Sequence, residues 1–260
     1  MEYKTLQFVL ENELAAITLN RPEKRNAISP EMISDLMNAL DQVERSSARV
    51  VILTGAGRAF CAGMDLEALR NLASQTPEQH AADAERMGQM FYRLYTFPRP
   101  LIAAVNGPAI AGGTGLATLA DFTLAVPEAK FGYTEARIGF LPAVVSVFLL
   151  RQVGAKITRE LLLTGKIFDA AEAHRLGLVT EIVAADKLLD RARELARDLA
   201  ALSPSSLALT KRLILRWSEK EIERDLAVAV RESAEIRRTE DFREGLSAFL
   251  EKRTPKWRNR

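Results

Sequence analysis

Residues 98–121 read PRPLIAAVNGPAIAGGTGLATLAD. Leu101–Val105 is an unbroken apolar run of strand length, closed off by prolines before it and by Asn-Gly-Pro after it. A run of small residues, AGGTG at 111–115, follows and leads into a helical pattern. The same order of strand, small-residue loop and helix occurs about fifty residues earlier, where RVVILTG (49–55) leads into AGRAFCAGMDL (56–66). Short buried strands that alternate with helices define an α/β body.

The flanking sequence extends this pattern. LQFVLE and LAAITLN, separated by the polar pair Asn12-Glu13, read as a hairpin. Ser29 followed by Pro30 and Glu31 is a helix start, and Met32, Leu36, Leu40 and Val43 form its apolar face. Thr76-Pro77 with Gln79 opens a second capped helix that runs to about Phe97. DFTLAV and AKFGY are short strands, and ARIGFLPAVVSVFLLRQVG is largely helical. After about residue 183 strand signals stop. Segments 186–202, 204–218, 221–239 and 242–252 carry apolar residues at helical spacing. The expected organisation is an α/β core over 1–200 and a helical region over 201–260, whose apolar stripes need the core or another subunit to cover them.

Composition narrows the function. The chain has 260 residues, 48% hydrophobic and 27% charged, which is ordinary for a folded protein with a large core. A net charge of +2 argues against general capture of nucleic acid, although the tail RTPKWRNR (253–260) is locally basic. Cys61 is the single cysteine, so no intrachain disulfide forms, and no His/Cys/Asp cluster has metal-ligand spacing; no metal is expected. With no secretory signal at the N-terminus and no run of about eighteen apolar residues, a cytoplasmic location is expected and a membrane one is not.

The two small-residue loops are poor in reactive side chains, which turns attention to their backbone. Glycine lets a ligand approach the chain closely, and a helix that begins just beyond leaves N–H groups unpaired. Two such N–H groups facing one point stabilise an oxygen that gains negative charge, each typically by about 2.7–4 kcal/mol in the transition state. The plainer alternative is that small residues only allow tight packing. Neither loop ends in the GK[ST] of a phosphate loop or fits GxGxxG.

NRPEKRNAIS (20–29), VVILTG (50–55), GRAFCAGMDL (57–66), the 98–121 stretch, FGYTEARIGFLPA (131–143) and EGLSAFLEKR (244–253) occur in that order. Together they resemble the enoyl-CoA hydratase/isomerase (crotonase) superfamily over nearly the whole chain. The resemblance implies a spiral of ββα units, a C-terminal helical trimerisation region, and a homotrimer or dimer of trimers. It implies an acyl-CoA substrate, with coenzyme A entering only as part of that substrate and no separate cofactor. It assigns the oxyanion-binding N–H groups to Ala62 and Gly112. Ala62, Gly63, Met64 and Asp65 are expected to line the acyl-CoA, and Asn26, Ala27 and Ile28 to lie near its adenine and pantetheine. Phe249 and Lys252 match positions that reach a neighbouring subunit's CoA site.

The resemblance also locates the proton chemistry. In the family's hydratases two glutamates flank the α,β-bond. The first falls three residues after Gly112, at Gly115, and is missing; the second is Glu135. Apolar neighbours at Phe131, Ile138, Phe140 and Leu141 are expected to raise the pKa of Glu135. Tyr133, two residues away, shares a face with Glu135 if the stretch is extended. Asp121 reads as structural, and Cys61 as loop packing. Glu67, Glu78 and Glu85 are candidates for a replacement acid.

The leading expectation is therefore a lyase that adds water to a 2-enoyl-CoA. A 3-enoyl to 2-enoyl isomerase with Glu135 as single proton shuttle is the alternative, since moving a double bond needs only one carboxylate. Glycine at 115 together with the 135–154 run also resembles a subgroup of hydratases that act on branched glutaconyl-type acyl-CoAs, so hydration stays open. A reading of another class is a non-catalytic acyl-CoA or RNA binder that uses the basic tail.

Overall fold

The computed structural model describes residues 3–72 and 74–258; Met1, Glu2, Ala73 and the last two residues of the basic tail, Asn259 and Arg260, lie outside the described residues. The hairpin forms as the sequence predicts, with β1 (Leu6–Glu11) antiparallel to β2 (Leu14–Leu19). Alternation in β2 buries Ala15, Ile17 and Leu19 on one face. Helix α1 (Pro30–Glu44) starts where the Ser29 side chain accepts a hydrogen bond from Met32 N–H, and buries Met32, Leu36, Leu40 and Val43. Each of these side chains contributes roughly 1.5–3 kcal/mol on removal from water.

From here the chain alternates. β3 (Val50–Gly55) is followed by α2 (Leu66–Leu72) and by α3 (Pro77–Tyr95), whose Thr76–Gln79 capping box forms in both directions. β4 (Leu101–Val105) leads through β5 (Ala109–Ile110) into α4 (Gly112–Thr118). β6 (Phe122–Ala125) and β7 (Lys130–Gly132) precede a 3-10 turn at Glu135–Ile138. Gly139, at φ 66°, ends that turn, and Pro142 stands immediately before α5 (Ala143–Thr164). The stretch expected to be largely helical is a 3-10 turn followed by a helix, with the break at Pro142 because proline cannot continue the preceding hydrogen bonds. β8 (Phe168–Asp169), α6 (Ala170–Arg175) and β9 (Glu181–Ile182) complete the strand-bearing part.

One sheet runs β1-β2-β3-β4-β6-β9 and a second runs β5-β7-β8. Apart from the β1–β2 and β7–β8 pairs the strands are parallel. Parallel strands need crossovers, so β3 and β4 are buried on both faces, as their apolar runs require. The whole is a spiral of ββα units followed by the helices α7 (Leu188–Ala200), α8 (Pro204–Arg216), α9 (Glu219–Glu235) and α10 (Glu240–Glu251). Helix α9 packs on α3 and α5, and α10 packs on the Glu135–Ile138 turn. Helix α8 buries none of its residues in the monomer. Among the described residues no helix is long and apolar enough to cross a membrane.

Candidate active site

The two small-residue loops lie against each other. Ile110 N–H donates to the Cys61 carbonyl at 2.9 Å, and Cys61 bridges Ala109. Gly113 faces that same carbonyl so closely that any Cβ would overlap it. Gly63, at φ 86°, faces the Ile110 carbonyl, 2.9 Å from where a Cβ would stand. Small residues are therefore needed for the mutual packing of the loops, and this packing sets which N–H groups remain free. The Cys61 thiol is fully buried, and burial pushes its pKa up to about 12, so it stays protonated.

Two peptide groups are held by their carbonyls. The Gly63 carbonyl accepts from Ile28 N–H at 2.7 Å, and the Ala111 carbonyl accepts from Thr114 N–H at 2.9 Å. In a trans peptide the N–H points away from its carbonyl, so Met64 N–H and Gly112 N–H are directed away from these anchors. Neither donates to a protein acceptor among the described residues. Both residues line a cavity of about 590 Å³. Ala111 holds the second peptide in place at φ 52° and ψ −123°, a region that costs a non-glycine residue about 1–3 kcal/mol. Strain of this kind collects where orientation of a group matters.

The expectation for Ala62 is corrected here. Its N–H donates to the Arg25 carbonyl at 3.0 Å, so it is not available to a ligand. Ala62 lines the cavity, but the free donor of this loop is two residues further on, at Met64. Asp65 also lines the cavity, yet its carboxylate is engaged: Oδ1 accepts from Glu67 N–H at 2.8 Å, and Oδ2 pairs with Arg21 at 2.8 Å. Burial alone would raise its pKa; the Glu67 N–H and the Arg21 guanidinium outweigh that and hold it below the usual carboxylate value.

Glu135 lines the same cavity at 8% exposure, and its Oε2 has no hydrogen-bond partner. Burial pushes its pKa up to about 7, against a smaller opposing pull from its own backbone N–H. Ile138, Phe140 and Leu141 share the cavity wall with it. Phe131 does not; its ring stacks on Phe168 at 6.0 Å inside the smaller sheet. Glu23, Asp65 and Glu135 are the acids that line the cavity among the described residues. Glu23 is exposed and Asp65 is paired, which leaves Glu135 as the buried carboxylate free to exchange a proton. Glu67, Glu78 and Glu85 are absent from the lining.

At Gly115 the wall is apolar and full. A Cβ there would stand 2.6 Å from the Phe91 ring and 2.7 Å from Val145 Cγ1. Phe91 and Val145 both line the cavity. No side chain fits at 115 without displacing them.

Other expected contacts divide. Ala27 and Ile28 line the cavity, whereas Asn26 is fully buried behind them. The Asn26 side-chain amide donates to the Ala56 and Ala59 carbonyls at 2.9 and 2.8 Å, so it fixes the turn and does not contact a ligand. Gly63 takes the left-handed turn of the loop and is not a lining residue. Tyr133 is corrected as well: it is buried with its hydroxyl 3.3 Å from Thr118 Oγ1, outside the cavity. The chain turns at Thr134, so Tyr133 and Glu135 do not share a strand face. Phe249 lines the chain's own cavity, while Lys252 caps α10 at φ 56° and takes no part in the lining. Asp121 is structural, accepting from Leu101 N–H and pairing with Lys211. Of the basic tail, Arg253 is folded back onto Glu244 and Glu251.

Sequence reasoning missed Ser233 and Arg237, which line the cavity from the end of α9 and the turn after it, both buried. Their spacing of four residues places them on one helical face, but a charged residue in a surface-like helix gives no sign of burial.

Residues 10–260 match the family described as enoyl-CoA hydratase/isomerase, and the chain belongs to that family. It is 44% identical over 250 residues to a Thermus thermophilus protein provisionally named an enoyl-CoA hydratase, covering 96% of this chain and 99% of the other. It is also 36% identical to the 1,2-epoxyphenylacetyl-CoA isomerase of Escherichia coli, covering 97% and 98%. Among solved structures, an enoyl-CoA hydratase/isomerase from Xanthobacter autotrophicus superposes with a TM-score of 0.89 at 31% identity, covering 96% and 97%. Hydratase/isomerase chemistry on an acyl-CoA-type substrate is therefore the general activity of this fold and family.

Proposed function

We propose that the chain is a single-carboxylate acyl-CoA isomerase that moves a 3-double bond of an enoyl-CoA into conjugation with the thioester. The observation that carries this reading is the filled apolar wall at Gly115, where Phe91 and Val145 occupy the space a second carboxylate needs. The thioester oxygen accepts hydrogen bonds from Met64 and Gly112 N–H, which acidifies C2. Glu135, as the carboxylate, takes a proton from C2, and the dienolate forms with its charge on the thioester oxygen. The protonated Glu135 then returns that proton at C4, the double bond settles between C2 and C3, and the carboxylate is regenerated. A pKa near 7 leaves the group able to act as base and as acid near neutrality. The exposed Lys24 and Arg25 at the border of the cavity suit the phosphates of the CoA moiety.

Hydration is the second reading, favoured by the name of the Thermus thermophilus relative. One assay separates the two. Conjugated-thioester absorbance is followed with a 3-enoyl-CoA and, separately, with crotonyl-CoA. Isomerisation raises the signal from the first and leaves the second unchanged; loss of the crotonyl-CoA signal with no gain from the 3-enoyl-CoA overturns the proposal. We also infer a homotrimer or dimer of trimers, supported by Leu209, Leu213 and Ile214 of α8 and by Trp217 just beyond it, all exposed in the monomer.

A further inference from the structure

The AGGTG loop carries one polar side chain, and the proton transfer leaves it without a task. Thr114 is fully buried and does not line the cavity. It stands between Gly113 and Gly115, at both of which a Cβ would overlap its neighbours. Tight packing accounts for those glycines but not for a hydroxyl. That hydroxyl donates to the Ala109 carbonyl at 2.7 Å, with the Gly132 carbonyl a second acceptor at 3.1 Å. It also accepts from Gly132 N–H at 3.0 Å.

Gly132 is thereby held at both of its main-chain groups, because its carbonyl accepts from Ala111 N–H at 2.7 Å. The restraint matters at a glycine, which has no side chain to limit its dihedrals. Glu135 follows three residues later. One turn further along α4, Thr118 Oγ1 lies 3.3 Å from the Tyr133 hydroxyl, so α4 grips two successive residues of the segment that leads to the acid. Thr114 also acts at the other end of the reaction. Its own N–H holds the Ala111 carbonyl at 2.9 Å, the bond that directs Gly112 N–H away from that anchor. One residue therefore spans the thioester-oxygen donor with its backbone and the acid's segment with its side chain. Misplacement of reacting groups by about 1 Å costs on the order of 100-fold in rate.

We propose that Thr114 is a positioning residue whose hydroxyl sets the separation between the Gly112 donor and Glu135. With that separation fixed, the C2 proton lies within reach of the carboxylate while the thioester oxygen is held. The inference rests on the reading of Glu135 as the proton carrier and adds to it a residue from outside the cavity. It holds equally for a double-bond shift and for hydration, since both pass a proton at C2.

The test separates binding from proton transfer. Thr114→Val removes the hydroxyl at nearly constant volume and keeps the backbone bond to Ala111; Thr114→Ala does so without crowding, and Thr114→Ser retains a hydroxyl. Circular dichroism checks each fold, calorimetry measures affinity for butyryl-CoA, and mass spectrometry follows deuterium uptake from D2O at C2 of that thioester. In the exchange Glu135 takes the C2 proton, the electron pair moves onto the thioester oxygen, and the acid returns a deuteron after exchange with solvent. The valine and alanine variants are expected to exchange at least about 10-fold more slowly than wild type, with affinity within about 3-fold, and the serine variant to stay within about 3-fold in both. A folded hydroxyl-free variant that exchanges at the wild-type rate, a loss confined to affinity, a serine variant as slow as valine, or failure of both hydroxyl-free variants to fold each overturns the proposal and leaves the hydroxyl a role in stability alone. Wild-type exchange at C2 without isomerisation of a 3-enoyl-CoA removes the isomerase reading and leaves this one standing, whereas a wild type with no C2 exchange removes both.

Discussion

Arg21 Nη1 and Asp65 Oδ2 are 2.8 Å apart, which ties the turn ahead of α1 to the residue just before α2. Arg21 also donates to the Ala27 carbonyl at 3.1 Å, so one guanidinium holds the chain on both sides of the Met64 donor. Arg21→Met leaves the buried Asp65 carboxylate without its cation, with an expected cost of about 3 kcal/mol at neutral pH. The Asp65 pKa is depressed in the folded state, so its stabilising contribution is present above the unfolded value near 4 and is lost as pH falls through the folded value. Urea denaturation of wild type and variant should therefore show a gap at pH 7 that narrows below about pH 4. A gap independent of pH would contradict this role.

Glu135→Gln should abolish isomerisation while acyl-CoA binding persists. In the wild type kcat/KM should rise tenfold per pH unit to about 7 and then level, because the carboxylate is the active base. Stability runs the other way. Here the folded pKa lies above the unfolded one, so the folded state loses stability as pH rises from about 4 to 7. Glu135→Gln should exceed wild type in stability by an amount on the order of 3 kcal/mol above pH 7, with the difference vanishing near pH 4. Denaturation curves at the two pH values check both signs.

Gly115→Glu should not convert the protein into a hydratase. A first side-chain carbon meets Phe91 and Val145 at 2.6 and 2.7 Å. Overpacking of this kind costs about 1–3 kcal/mol. Adding Phe91→Ala should recover much of that stability. Crotonyl-CoA hydration by the single variant, at unchanged stability, would contradict the filled wall.

Light scattering of the wild type should give a multiple of three chains. Leu209 on α8 is 61% exposed and Trp217, which caps the helix, is 74% exposed, the stripe that the proposed assembly would cover. Leu213→Asp should shift the protein toward monomers, whereas a wild type that is itself monomeric at micromolar concentration removes the assembly proposal.

Much of the fold is legible in the sequence because its signals are local. The Asn12-Glu13 turn, the Ser29 and Thr76 caps and the apolar runs at Val50–Leu53 and Leu101–Val105 each act within a few residues. The site is less legible because its decisive relations are distant. Nothing near Ala62 shows that the Arg25 carbonyl takes its N–H and leaves Met64 as the free donor. Tyr133 departs from Glu135 because the chain turns at Thr134, which alternation along an extended strand cannot foresee. Arg237 reads as a solvated helix residue until α3 brings Asp83 against it.

Gly139 and Gly245 meet with no side chain on either. A Cβ on Gly139 would overlap the Asp241 carbonyl, and one on Gly245 would overlap that of Ile138. The last helix is thereby locked backbone to backbone with the turn that carries Glu135. It cannot swing open as a flap without dragging the acid out of register. The chain's end and the position of the acid therefore belong to one rigid joint, and α10 brings Phe249 to the cavity from that joint.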